Sequence, residues 1–176
     1  MKNIGLISIM LLVYFCSQAQ SEKGTFQIGL GGLPIIYPDN SGEPGYAIRA
    51  NLGYLPFNKL SIGLMPFAGQ VEDMKSMGAS LYLRYYIINK RFALFVEGSG
   101  GFGNLKYDDS PQYDGTMNTL NIGPGIHYTF KSKHKNNLAI EFIVQYARLQ
   151  NINYPENTLT GNTLIPTIGI QYFIKK

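Results

Sequence analysis

The alternation that decides the fold of this chain lies in Leu138-Ala139-Ile140-Glu141-Phe142-Ile143-Val144-Gln145-Tyr146-Ala147. Every second residue from Leu138 is a large apolar residue, whereas the residues between them include an acid and an amide. Successive side chains of a β-strand point to opposite faces, so this segment would present one apolar face and one mixed face. The spacing therefore predicts a strand that separates two different environments.

Seven other segments of the chain repeat this pattern. Together the eight predicted strands cover residues 25–32, 45–55, 59–69, 77–88, 91–103, 116–130, 137–149 and 163–174. Long predicted loops at 33–44, 70–76, 104–115 and 150–162 alternate with short turns at 56–58, 89–90 and 131–136. This layout is typical of small bacterial outer-membrane barrels. We therefore expect an all-β fold, an eight-stranded antiparallel up-and-down transmembrane β-barrel whose lumen is filled by side chains.

The first part of the chain, residues 1–19, has the features of a secretory signal peptide. Lys2 gives it a basic start, an apolar stretch follows, and small residues lead to the expected cleavage point after Ala19. We expect residues 20–176 to form the barrel domain. Cys16 is the only cysteine of the chain and would leave with the signal, so the mature barrel would contain no disulfide.

Four charged residues fall on the polar faces of the predicted strands: Arg49, Arg84, Glu97 and Glu141. An arginine that faced the middle of the bilayer would cost about 2–4 kcal/mol, so we expect the polar faces to point inward. An unpaired buried charge is also costly, and we therefore expect the two arginines and two glutamates to pair as a charge network in the lumen. The expected role of this network is structural, and no residue is assigned to catalysis.

Composition restricts the possible partners and cofactors. The chain has 15 Lys and Arg residues against 11 Asp and Glu residues, and the lysines are spread over turns and termini. This distribution predicts no nucleic-acid surface. His127 falls on the inward face of predicted strand six and His134 in a predicted turn, and the mature chain would have no cysteine, so we expect no transition-metal site and no cofactor. One predicted outer loop contains three aspartates, Asp108, Asp109 and Asp114, whose oxygens could bind calcium. The loop lacks the EF-hand spacing, so the sequence leaves the question of calcium binding undecided.

Three segments resemble strands of a known family: Leu83-Arg84-Tyr85-Tyr86, Phe95-Val96-Glu97-Gly98 and Gly123-Pro124-Gly125-Ile126-His127-Tyr128. They are similar to the middle strands of small Gram-negative outer-membrane β-barrels, the relatives of the membrane domain of outer-membrane protein A. The resemblance implies an outer-membrane location with both termini in the periplasm. It also implies contact with outer-membrane lipid and lipopolysaccharide, and insertion of the barrel by the barrel-insertion machinery. It names no extracellular ligand.

A second resemblance is to the lipid A 3-O-deacylases, also called acyloxyacyl-hydrolase-like barrels. Their signature, late in strand seven, is His-x-Ser followed by Asn. Here Arg148 stands at the histidine and Gln150 at the serine, and only Asn151 is kept. Hydrolysis by a serine needs a base and a nucleophile within hydrogen-bond reach. We therefore expect a noncatalytic barrel with an envelope-structural or surface-interaction role through four outer loops. The alternative, which this resemblance leaves open, is an enzyme that acts on lipopolysaccharide.

Arg148 shares the apolar face of predicted strand seven and lies at its outer end. A cation at this position would lie at headgroup depth, where lipopolysaccharide carries phosphates. The guanidinium fork matches phosphate geometry with two hydrogen bonds. We expect Arg148, together with Asn151, to contact a lipopolysaccharide headgroup, and the alternative is an arginine that extends to the interface without a specific partner.

Overall fold

The computed structural model of the protein describes residues 22–35, 45–71, 74–109, 111, 114–130, 137–152 and 162–175. Within these ranges, eight strands join in chain order into one closed antiparallel barrel. The prediction of an all-β, eight-stranded barrel is confirmed. No helix in the same ranges is long and apolar enough to cross a membrane. The predicted signal peptide, residues 1–19, lies outside the described residues.

The strands extend beyond their predicted bounds, mainly toward one end of the barrel. They are β1 (Phe26–Ile35), β2 (Gly45–Phe57), β3 (Leu60–Val71), β4 (Met74–Ile88), β5 (Phe92–Tyr107), β6 (Gly115–Phe130), β7 (Asn137–Asn151) and β8 (Asn162–Ile174). The connections 58–59, 89–91 and 131–136 join strands at what we call the turn end. The opposite end, where most strands are longer than predicted, is the loop end.

The prediction of a second loop over residues 70–76 is wrong. β3 continues to Val71 and β4 already begins at Met74, and Gln70 on β3 pairs with Lys75 on β4. The polar composition of this segment suggested a loop. It instead reflects the end of a hairpin, where cross-strand pairs continue to stabilise the ladder up to the tip.

The register of the barrel can be read by moving from strand to strand through paired residues. The path begins at Asn162 of β8 and returns to the same strand at Tyr172, ten residues further along. It passes through Arg148, Leu120, Gly100, Leu81, Leu64, Leu52 and Ile28. An offset of this size over eight strands requires strongly tilted strands, about 35–45° from the barrel axis in such folds. The tilt brings residues from distant parts of the chain to the same depth in the lumen.

Apolar side chains cover the outside of the wall. The most exposed of them, each with more than 60 % of its surface accessible, include Leu30, Leu81, Phe102, Leu120 and Leu164. Near the turn end, exposed aromatic residues on this face include Tyr54, Phe57, Tyr85, Phe92, Tyr128 and Tyr172. An apolar band with aromatic residues at its border matches the lipid-facing surface of membrane barrels.

Candidate functional site

Charged side chains from four different strands meet inside the barrel. Arg49 comes from β2, Arg84 from β4, Glu97 from β5 and Glu141 from β7. Arg84 and Glu97 are completely buried, and Arg49 retains 8 % exposure. We call these four residues the lumen charge network. Its two positive and two negative charges balance, so the network as a whole is neutral.

Arg84 is the centre of the network. Its Nε and Nη2 donate to Oε2 of Glu97 at 2.8 and 2.5 Å, and its Nη1 donates to Oε2 of Glu141 at 2.5 Å. Its guanidinium carbon lies 4.1 Å from the centre of the Phe95 ring. Charge-assisted hydrogen bonds of this kind are strong, and the ring face attracts the cation. Arg84 therefore holds both glutamates at once.

Arg49 is attached to the network more loosely, through a glutamine. Its Nη1 donates to Oε1 of Gln145 at 2.6 Å but reaches Oε1 of Glu97 only at 3.4 Å. Gln145 in turn donates from Nε2 to Oε1 of Glu97 at 3.1 Å. On the other side, Arg49 Nη2 lies 3.5 Å from Oε1 of Glu141. The alternation pattern placed Gln145 on the inward face, but nothing in the sequence assigned it to the network.

The register explains why these long side chains can meet. Arg84 and Glu97 are direct partners on neighbouring strands. Between Arg49 and Glu141, the same row of paired residues contains only Gly31 and Gly169, both on the inward face. Two glycines leave this part of the lumen without side chains. The guanidinium of Arg49 can therefore extend across the space toward Glu141.

Three hydrogen-bonded polar side chains fill the lumen beside the network. Ser61 Oγ donates to Oε1 of Gln27 at 2.6 Å, and Nε2 of Gln27 donates to the Tyr86 hydroxyl at 2.6 Å. All three residues are buried. Buried polar groups stabilise a fold only when they are paired, as these are. The lumen is thus filled by interacting side chains on this side of the network.

His127 lies deeper toward the turn end and is surrounded by aromatic rings. The centres of the Tyr86, Phe95 and Phe173 rings lie 5.4–6.0 Å from its own. Among the residues that the structure describes, neither ring nitrogen of His127 has a hydrogen-bond partner. Activation of a nucleophile by a histidine requires such a hydrogen bond. His127 is therefore packed as an aromatic ring, and it forms no base–nucleophile pair with any residue in the described part of the chain.

Arg148 is exposed on the outward face of β7, near the loop end. Its partners in the neighbouring strands are Leu120 of β6 and Asn162, the first residue of β8. Asn151 is the last residue of β7, and its side chain lies outside the described part of the structure. The structure thus places Arg148 away from the lumen charge network, on the opposite face of the wall.

The acidic loop between β5 and β6 has contacts within the protein. Asp108 accepts a hydrogen bond from Lys75 Nζ at 2.5 Å, and Oδ1 of Asp114 accepts one from the backbone N–H of Tyr107 at 2.7 Å. Asp109 is exposed. Among the residues that the structure describes, no three His, Cys, Asp or Glu residues are grouped as a metal site would require.

Comparison with known proteins identifies the architecture. No protein-family model and no curated protein sequence matches the chain. Among solved structures, the N-terminal β-barrel domain of Pseudomonas aeruginosa OprF is similar, with a TM-score of 0.60 and 15 % identity, covering 86 % of this chain and 98 % of that domain. The outer membrane protein OprG from Pseudomonas aeruginosa aligns with a TM-score of 0.43 and 16 % identity, covering 90 % of this chain and 100 % of OprG. The chain has the fold of the small outer-membrane barrels, as its sequence resemblance implied.

Proposed function

We propose that the protein is a noncatalytic barrel of the bacterial outer membrane, with an envelope-structural or surface-interaction role. The observation that carries this proposal is the division of side chains between two faces of one closed wall, apolar outside and polar inside. An apolar exterior suits lipid, and a closed barrel leaves no strand edge unpaired within it. The fold shared with the OprF domain supports this location.

A filled lumen favours an interaction role over conduction. Arg84 and Glu97 are completely buried in the middle of the barrel, and each is bonded to its neighbours. Eight strands leave an interior just wide enough for side chains. The surfaces available to other molecules are then the outward face and the connections at the loop end. The proposal assigns surface interaction to these connections.

Cysteine labelling in intact cells tests location and orientation together. In a Cys16→Ala background, Asp109→Cys places a thiol at the loop end, and Asn58→Cys places one at the turn end; both positions are exposed. We expect a membrane-impermeant maleimide to label position 109 in intact cells, and position 58 only after the outer membrane is permeabilised. Labelling of position 58 in intact cells would contradict the orientation. Recovery of the protein in the soluble fraction would contradict the membrane location.

The proposal includes a lipopolysaccharide contact at Arg148, with Asn151 nearby in the chain. Arg148 is exposed on the outward face. Lys75 and Lys106, which are direct partners on β4 and β5, are exposed on this face at the same end. Like charges directly opposite each other repel; Asp108, which pairs with Lys75, offsets part of that repulsion, and anionic headgroups would offset more of it. These cations support a phosphate-bearing surface at the level of the outer leaflet.

Lipid A binding to purified protein in detergent tests this contact. We expect Arg148→Ala to weaken binding about tenfold, because it removes a charge-assisted hydrogen bond to phosphate. The matched control is Arg91→Ala at the turn end, where the guanidinium lies over the Tyr128 ring and should not reach these headgroups. The difference between wild type and Arg148→Ala should disappear with dephosphorylated lipid A. Equal affinities of wild type and Arg148→Ala for intact lipid A would show that the arginine has no specific partner.

A further inference from the structure

A groove runs along the outward face of β5, between β4 and β6. Its floor consists of Gly98 and Gly100, two outward positions of β5 that carry no side chain. The pairing of the strands places one large apolar residue on each side of each glycine. These four residues form the walls: Leu81 and Leu83 on β4, and Leu120 and Ile122 on β6. We call this feature the outer groove.

The packing of the barrel does not require glycine at either position of the floor. A Cβ built on Gly98 would meet no described atom closer than 4.0 Å, and one built on Gly100 none closer than 3.8 Å. The inward Gly101 differs, because a Cβ there would overlap the backbone of β4. Glycine weakens the interior of a strand, and it often marks a place where a ligand approaches the backbone closely. The floor of the outer groove is therefore a candidate contact surface.

The width of the outer groove fits one hydrocarbon chain. Its two walls are two strand spacings apart, which is about 9.6 Å. Carbon atoms in contact lie about 3.5–4.0 Å apart, so one row of carbon atoms between the walls needs roughly 7–8 Å, and two rows need roughly 10.5–12 Å. The outer groove can therefore hold a single extended acyl chain, but not two chains side by side.

Arg148 lies on the loop-end side of the outer groove. In the row of paired residues, Gly100 on β5 is next to Leu120 on β6, and Leu120 is next to Arg148 on β7. From Arg148 this row moves toward the turn end by about 3 Å per strand, given the spacing and the tilt of the strands. The floor at Gly100 is thus about 6 Å deeper in the wall than Arg148. These are the relative depths of the headgroup and the tail of one lipid.

We propose that the outer groove holds one acyl chain of the same lipid A molecule whose phosphate contacts Arg148. This inference rests on the lipopolysaccharide contact in the proposed function, and it adds the place of the chain. Charge complementarity favours this occupant. A second copy of the barrel, docked through the same face, would bring another arginine to the interface, whereas lipid A brings the opposite charge. Because the chain leaves one apolar medium for another, packing contacts stabilise it in the groove.

Methyl NMR of the purified barrel locates the chain directly. With a perdeuterated protein that carries protons only in its Leu and Ile methyl groups, and with deuterated detergent, the aliphatic protons outside the protein come from bound lipid A. We expect NOEs from acyl methylene protons to the methyl groups of Leu81, Leu120 and Ile122, which saturate at one lipid A per barrel. The control is Leu30, which is similarly exposed on β1, across the barrel. Equal NOEs at Leu30 and Leu120 would overturn the proposal, because the chains would then have no preferred place.

Filling the outer groove tests its contribution to affinity. Gly100→Leu fills it from the floor and should weaken lipid A binding about tenfold, because the chain loses its packing contacts. The matched control, Ala50→Leu, adds a leucine to the outward face of β2 and should leave the affinity unchanged. If Gly100→Leu does not fold, Gly98→Leu fills the deeper part of the groove.

The two sets of variants separate this inference from the contact on which it rests. Unchanged affinity in a folded filled variant would overturn the acyl site, even where Arg148→Ala weakens binding and the phosphate contact stands. Wild-type affinity in Arg148→Ala would overturn the phosphate contact and, with it, the pairing of headgroup and chain. Sedimentation in density-matched detergent tests the other occupant, and we expect monomers for wild type and Gly100→Leu. A wild-type dimer that becomes a monomer in Gly100→Leu would assign the groove to a second copy and overturn the proposal.

Discussion

Replacing Glu97 by glutamine should lower the free energy of unfolding of the barrel by about 3–5 kcal/mol. The change keeps the shape of the side chain but removes the carboxylate that accepts two hydrogen bonds from Arg84. Two arginines would then face a single glutamate in a buried place. The loss should appear as a lower unfolding midpoint in urea, and as a lower temperature at which the folded band shifts on a gel of unboiled protein.

The same acid-to-amide change at an exposed ion pair is the matched control. Asp108→Asn removes the partner of Lys75, but both side chains are about half exposed, and the loss should stay below about 1 kcal/mol. Because the network is neutral, adding Arg49→Gln to Glu97→Gln should recover part of the lost stability. Unchanged unfolding midpoints for Glu97→Gln would mean that water, and not Glu97, stabilises the buried charges of the two arginines.

A single added methyl group at Gly101 should cost about 1–3 kcal/mol or more. Gly101 is on the inward alternation of β5, and a Cβ built there would overlap the carbonyl oxygen of Ala79 and the Cα of Ser80. Both are backbone atoms of the adjacent strand, so no side-chain rotation can relieve the contact. Gly101→Ala must therefore push β4 and β5 apart, and the same two unfolding measurements would detect it.

The preceding residue provides the control, since it lies on the same strand but on the outer face. At Gly100, an added Cβ would meet nothing closer than 3.8 Å. Gly100→Ala should change stability by no more than about 0.5 kcal/mol, as surface substitutions usually do. Similar midpoints for the two alanine variants would show that the wall between β4 and β5 can widen without cost.

The sequence was sufficient to assign side chains to the two faces of the wall, because that assignment depends only on alternation. Arg84 and Glu141 could be placed inward in this way. Alternation could not show which inward residues touch each other. A shift of two residues between neighbouring strands preserves every face and changes every neighbour. Contacts such as Gln145 with Arg49 therefore depend on the observed register.

The register also explains a cavity in the lumen and the error in predicting a loop over residues 70–76. Ala47 and Ser76 each look unremarkable in their own segments, but both pair with Gly69, and these three small residues border a cavity of about 170 Å³ in the loop-end half of the lumen. The hairpin between β3 and β4 was missed for a related reason. Gln70 and Lys75 suggested a loop by their polarity, whereas their pairing depends on how far the two strands run together.

The lumen charge network also has a consequence for the order in which the chain folds. Arg84 and Glu97 are partners within one hairpin and can pair as soon as β4 meets β5. Arg49 and Glu141 are separated by two strands that join only at the β1–β8 seam, and the entropy of closing that large loop must be overcome before they meet. Until β1 pairs with β8, we expect Glu141 and Arg49 to keep their hydration. We therefore expect closure of the barrel and dehydration of these charges to occur as one late, cooperative step.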